Sequence, residues 1–112
     1  MLSVTTDSSP QRVRVSATGE LDLDTGPILE LALEEAEHTA GERVVLDLTQ
    51  VTFIDSSGLK VLVEAAKRNQ DAGNFGIVPS PGVLRVLDLS GLTQHLPIEP
   101  ASDETPSAGV NP

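Results

Sequence analysis

The chain has 112 residues and a formal net charge of −10, from 17 Asp and Glu against 7 Lys and Arg, with no Trp, no Tyr and 2 Phe. A surface of that sign repels phosphate backbones and offers almost nothing on which bases could stack, so no nucleic acid is expected as a partner, and anionic membranes are disfavoured for the same reason. The absence of cysteine excludes disulfides, thiolate nucleophiles and thiolate metal sites.

Length and a 38% apolar content predict one domain with an aliphatic core. The stretch from Met1 to Asp7 has neither a basic start nor a long apolar run, and nothing approaches the roughly 18 apolar residues of a membrane span. A soluble, cytoplasmic chain is expected. Leu2, Val4 and Thr6 share one parity, and Arg12-Val13-Arg14-Val15-Ser16-Ala17 resumes the alternation, which predicts a hairpin with its turn at Pro10-Gln11. At Asp24-Thr25-Gly26-Pro27 a capping side chain precedes a proline, and a first helix should begin. Its apolar stripe would be Ile28, Leu29, Ala32, Leu33 and Ala36, with Glu30, Glu34, Glu35 and Glu37 in water and Ala40-Gly41 as the stop.

Val44-Val45-Leu46 with Leu48 predicts a central strand at about 43–48, followed by a brief loop to Phe53-Ile54. Asp55-Ser56-Ser57-Gly58 then opens a second helix through about Gln70, with Leu59, Leu62, Val63 and Ala66 inward, ended by the Asp71-Ala72-Gly73-Asn74 turn. Phe75-Gly76-Ile77-Val78 is the next strand. Ser80-Pro81 starts a third helix carrying Val83, Leu84, Val86 and Leu87, which Gly91 closes. Leu96-Pro97-Ile98 is expected as a short edge strand, where proline is tolerated. From Pro100 the chain is small, polar and proline-rich, the composition of a disordered tail. The expected organisation is therefore a domain over 1–99 and a tail over 100–112. Its order, β-β-α-β-α-β-α-β, defines an α/β class with helices flanking a mixed sheet.

Chemistry concentrates where the central strand gives way to the second helix. Asp55-Ser56-Ser57-Gly58 brings two hydroxyls to the unpaired N–H groups of a helix start, where a phosphate on either serine could accept hydrogen bonds and be favoured by the helix dipole. Taken alone, such a tetrapeptide is more often a cap than a regulated site. Its context adds the apolar pair Phe53-Ile54, expected to anchor the loop, and Gly58, expected to leave the helix entrance open. His38 and His95 are isolated and support neither a metal site nor a triad. Asp47 is read as a polar strand terminus.

Four blocks in order resemble the bacterial anti-sigma factor antagonists built on the STAS domain: Gly19-Glu20-Leu21-Asp22, Val44-Val45-Leu46-Asp47-Leu48, Val51-Thr52-Phe53-Ile54-Asp55-Ser56-Ser57-Gly58-Leu59 and Val86-Leu87-Asp88-Leu89-Ser90-Gly91-Leu92. The resemblance covers about residues 2–98 and implies a STAS-type fold. It also implies a non-enzymatic, partner-switching role. The unphosphorylated domain would bind a serine-kinase anti-sigma factor and free a sigma factor, the kinase would use ATP to phosphorylate the domain and lose it, and a serine phosphatase would reset the cycle. Ser56 matches the phosphoacceptor, with Ser57 the second choice; Asp22, Asp55, Ser57 and Gly58 match the partner-facing surface. No cofactor and no metal of its own are implied. Lys60 stands where such proteins commonly carry a small residue; its ammonium either lies near a phosphate or, the simpler reading, solvates the helix.

Other classes fit less well. A response-regulator-like receiver would use Asp47 as nucleophile, but it needs an acidic pair after the first strand and a late lysine, and Lys67 is the last lysine. Asp22-Leu23-Asp24-Thr25 has the wrong spacing for a phosphatase and reads as a strand exit and helix cap. No Gly-x-Ser-x-Gly elbow, Walker sequence or Gly-x-Gly-x-x-Gly run occurs. A STAS scaffold or sensor that binds proteins without being phosphorylated remains the nearest alternative.

Overall fold

In a computed structural model, which describes residues 1–39 and 43–100, the alternating N-terminal residues pair as an antiparallel hairpin. β1 (Leu2–Ser8) lies against β2 (Val13–Leu21), from Leu2 opposite Gly19 to Ser8 opposite Val13. The turn closes around Pro10-Gln11 as expected: the Ser9 N–H donates to the Arg12 carbonyl at 2.8 Å, and the Arg12 N–H donates to the Ser9 hydroxyl at 3.2 Å. Next come α1 (Gly26–Thr39), β3 (Val44–Ile54), α2 (Ser56–Arg68), β4 (Phe75–Pro79), α3 (Pro81–Leu89) and a single 3₁₀ turn at Thr93–His95. The sheet order is β1-β2-β3-β4, with β2, β3 and β4 mutually parallel. Parallel neighbours need a crossover, and α1 and α2 supply it.

β3 corrects the expected short strand and loop. It runs for 11 residues, but only Val44 to Asp47 is paired on both sides. β4 stops opposite Leu48, while β2 continues beside β3 to Leu21 opposite Ile54, through two register shifts. Those shifts break the alternation: Val51 and Ile54 are buried, Thr52 and Phe53 exposed. A strict period of two therefore stopped too early. It also places Asp47 in mid-strand rather than at a strand end.

One core joins the sheet to all three helices described. Val13, Val15 and Ala17 of β2, Val44, Leu46 and Leu48 of β3, and Phe75 and Ile77 of β4 pack with Leu29 and Leu33 of α1, Leu62 and Ala65 of α2, and Val83 and Leu87 of α3. The α1 stripe is narrower than its sequence suggests, since Ile28 is half exposed. Glu30 and Glu37, expected in water, instead hold Arg68: its Nη1 lies 2.6 Å from Glu30 Oε2 and its Nε 3.0 Å from Glu37 Oε1. On α2 the buried face is Val61, Leu62 and Ala65, with Leu59, Val63 and Ala66 only partly covered.

The helix ends follow their local signals. Ser80 caps α3 by accepting the Val83 N–H at 3.1 Å, and its hydroxyl donates to the Val51 carbonyl at 2.8 Å. After α3, Gly91 at φ 74 supports a Schellman closure in which the Leu92 N–H reaches the Leu87 carbonyl at 2.9 Å. The expected edge strand at Leu96-Pro97-Ile98 is reduced to one parallel bridge, Ile77 with Ile98. Proline removes a donor from that segment. Expectations for the Ala40-Gly41 stop and for residues 101–112 lie outside the described residues. Among the described residues, no helix is long and apolar enough to cross a membrane.

Candidate functional site

The site begins where β3 ends. Ile54 is buried, and the Asp55 N–H donates to the Leu21 carbonyl at 3.2 Å, which ties the loop to the end of β2. Asp55 adopts an extended conformation (φ −115, ψ −170), and its Oδ1 accepts the Gly58 N–H at 3.1 Å. It is thus the N-cap of α2, satisfying one of the unpaired donors of the first turn. Ser56 follows as the first helical residue and is exposed; Ser57 is half-buried. Neither oxygen lies inside the core.

Gly58 has a different job from the open entrance its sequence suggested. It is buried, and a Cβ there would stand 2.8 Å from Ile54 Cγ1, from Leu21 Cγ and from the Leu21 carbonyl oxygen. Only the missing side chain lets α2 start this close to the two strand ends. Phe53 also departs from expectation: Ile54 alone anchors the loop inward, and Phe53 is 51% exposed.

Asp22 sits at the exit from β2. Its Oδ1 accepts the N–H groups of Asp24 and Thr25, each at 3.1 Å. The buried Thr25 hydroxyl accepts the Asp22 N–H at 2.9 Å and shares its proton between the Glu20 carbonyl at 2.8 Å and the Asp22 carboxylate at 3.0 Å. The Thr25 N–H, followed by its hydroxyl, holds the Asp22 carboxyl below the usual aspartate value. Asp22 and Thr25 together shape the start of α1, as the strand-exit reading of this segment expected.

Between the starts of α1 and α2 lies a groove of about 410 Å³ walled by Leu23 and Pro27 on one side and by Ser57 and Lys60 on the other, with the carboxylates of Asp22, Glu30 and Glu64 among its lining. The structure therefore brings Asp22 and Ser57 into one concavity, whereas Asp55, Ser56 and Gly58 are not among its lining residues. Leu23, 73% exposed, was missed as a surface residue. It alternates correctly with Leu21, but by that point β2 has ended and its inward face no longer exists.

The other titratable candidates stand apart. Asp47 pairs with Arg14 (Nη2 to Oδ2 2.6 Å) and accepts the Thr49 hydroxyl at 2.6 Å and the Thr49 N–H at 2.9 Å. Burial would raise its pKa, but these hydrogen bonds and the guanidinium outweigh burial and hold it low. Its oxygens are committed to structure, which removes the receiver-type nucleophile. His38 is in the last turn of α1, and His95 lines a second groove with Lys67, Phe75 and Leu96 near the far end of α2.

Fold and site together are those of a small domain with a hydroxyl-bearing helix start at the carboxyl edge of a mixed sheet, and comparison with known proteins places it. The family described as "Mlab, STAS domain" matches residues 4–98. An anti-sigma F factor antagonist of Paenibacillus polymyxa is 38% identical over 87 residues, which is 75% of this chain and 74% of that protein. An anti-sigma-B factor antagonist of Listeria monocytogenes is 31% identical over 96 residues, 82% of each chain. The crystal structure of an anti-sigma factor antagonist from Mycobacterium paratuberculosis superposes with a TM-score of 0.83 at 30% identity, covering 93% of this chain and 90% of that one. The chain belongs to the STAS-domain family, in its branch of anti-sigma factor antagonists.

Proposed function

We propose that this chain, through its 1–99 domain, docks in its unphosphorylated form on a serine-kinase anti-sigma factor and so frees a sigma factor, and that the same kinase ends the contact by phosphorylating Ser56. The observation that carries this reading is that Ser56 is exposed at the first position of α2, next in sequence to Ser57, which lines the groove with Asp22. In the transfer, the Ser56 Oγ forms a bond to the γ-phosphorus of ATP, the bond to the β-phosphate oxygen breaks, ADP leaves, and the hydroxyl proton passes to a base of the kinase. Asp55, Ser57 and Gly58 hold the helix start in shape, and Asp22 lies on the adjoining surface. A serine phosphatase restores the hydroxyl.

Release follows from charge. Phosphorylation adds about −1.5 to −2 charges to a neutral hydroxyl. Inside a packed interface both desolvation and repulsion from neighbouring carboxylates or bound nucleotide oppose that charge. A loss of about 3 kcal/mol lowers affinity by roughly two decades. The helix start accommodates the phosphate locally, so the domain need not unfold.

Incubation with serine-kinase anti-sigma factors and ATP, followed by intact-mass measurement and peptide mapping, tests the assignment. One phosphate on Ser56, absent in Ser56→Ala, is expected. Modification that persists in Ser56→Ala and disappears in Ser57→Ala moves the acceptor by one residue. No modification by any such kinase, with binding retained, favours the unphosphorylated STAS scaffold. In calorimetry, Ser56→Asp should bind the kinase at least tenfold more weakly than Ser56→Ala; equal affinities would remove charge as the mechanism.

A further inference from the structure

We infer that Lys60 is the counter-charge of the modified state, a positioning residue whose ammonium pairs with the phosphate on Ser56 and favours its doubly ionised form near neutral pH. This rests on the assignment of Ser56 as acceptor. Ser56 and Lys60 are four residues apart on α2 and both are exposed, a spacing that makes side chains neighbours on one helix face. Side chains on a helix lean toward its N-terminus, so the long stem of Lys60 covers the turn that carries Ser56 and Ser57.

The surroundings make that ammonium matter. Every other charged residue lining the groove is a carboxylate: Asp22 from the end of β2, Glu30 from α1 and Glu64 from α2. Asp55 adds a fourth at the cap. A phosphate on Ser56, adjacent in sequence to Asp55 and to Ser57 of the groove, meets carboxylates on both sides, and Lys60 is the cation among the groove's lining residues. Arg14, Arg43 and Arg68 are each engaged with carboxylates, whereas Lys60 takes part in no salt bridge among the described residues. Glu64 is four residues C-terminal to it, and lysine before glutamate is the weaker orientation for a helical pair. Lys60 is therefore available to a new anion one turn below it. Neither His38 nor His95 belongs to this surface, so no imidazole titrates against the phosphate.

The test uses the full chain with phosphoserine installed at position 56 during synthesis, so that its result does not depend on any kinase. Phosphorus NMR follows the second phosphate ionisation, near pH 6 in an unperturbed phosphoserine, in the parent, Lys60→Gln and Lys60→Arg. Lys60→Gln is expected to raise the midpoint by about 0.15 to 0.4 pH units, the shift an i,i+4 ion pair supports. Lys60→Arg should restore the parental value, and the difference should fade at about 1 M salt, where the screening length is near 3 Å. Coincident midpoints for the parent and Lys60→Gln at low salt would overturn the inference. A shift with no kinase able to modify Ser56 would instead leave the Lys60 pairing intact and count against the proposed function alone. Heat unfolding of the unmodified variants checks that the fold is retained.

Discussion

A methyl group on Gly58 would collide with three atoms at once, each at 2.8 Å, and one of them is the backbone oxygen of Leu21. The Ile54 and Leu21 side chains can turn aside, but that carbonyl cannot move without disturbing its hydrogen bond from the Asp55 N–H. Gly58→Ala should therefore cost about 1–3 kcal/mol, the usual penalty of overpacking, and lower the urea midpoint while leaving far-UV circular dichroism unchanged. A midpoint equal to that of the parent would mean that α2 shifts freely on the strand ends. The same contact explains why the sequence misled about this residue. Glycine beside serines suggests room, whereas here it marks a close approach of α2 to the ends of β2 and β3.

At the scale of the elements, α3 is tied to the strand that carries the site. Beyond Leu48, β3 has no β4 partner, and the buried Ser80 hydroxyl takes the Val51 carbonyl while accepting the Val83 N–H. Ser80→Ala removes a cap and a donor together, an expected loss of about 1–2 kcal/mol in chemical denaturation. Ser80→Thr, which keeps the oxygen, should recover part of it. Equal stability of Ser80→Ala and the parent would show that water replaces both bonds. Much of this architecture was legible in the sequence, because Asp55, Ser80, Pro27, Pro81 and Gly91 mark helix ends through local chemistry that tertiary packing does not override. The second half of β3 was hidden, since its register shifts with β2 scramble the alternation that identifies a strand. The Leu96-Pro97-Ile98 segment was overread, because an apolar pattern cannot say how many ladder bonds a proline leaves. At the site, the place of Asp55 and the serines at the helix start could be read directly, but the groove joining Asp22 to Ser57 depends on how two helices sit side by side, which no local pattern encodes.

Across the whole molecule, stability should depend on acid through two carboxylates whose protons are held off in the fold. Asp22 and Asp47 both lie below the ordinary aspartate value. A depressed folded pKa adds stability that is fully present above the unfolded value and is lost as pH falls through the folded one. Stability should thus be flat near neutrality and decline as pH drops through the carboxylate range, and Asp47→Asn should be less stable at neutral pH and lose less of its remaining stability on acidification. Parallel pH curves for Asp47→Asn and the parent in urea titrations would exclude a contribution from the Asp47 carboxylate, held low by Thr49 and Arg14.

The parallel arrangement of β2, β3 and β4 places the starts of α1, α2 and α3 at the carboxyl ends of those strands. Each aligned set of peptide dipoles leaves roughly half a positive charge at its first turn, so three such poles gather along one rim of a molecule whose formal charge is −10. The potential there is less negative than its own carboxylates alone would make it. A visitor bearing nucleotide phosphates would still meet the carboxylates of Asp22, Asp55 and Glu64 on that rim, and the backbone dipoles offset part of that barrier before any side chain makes contact.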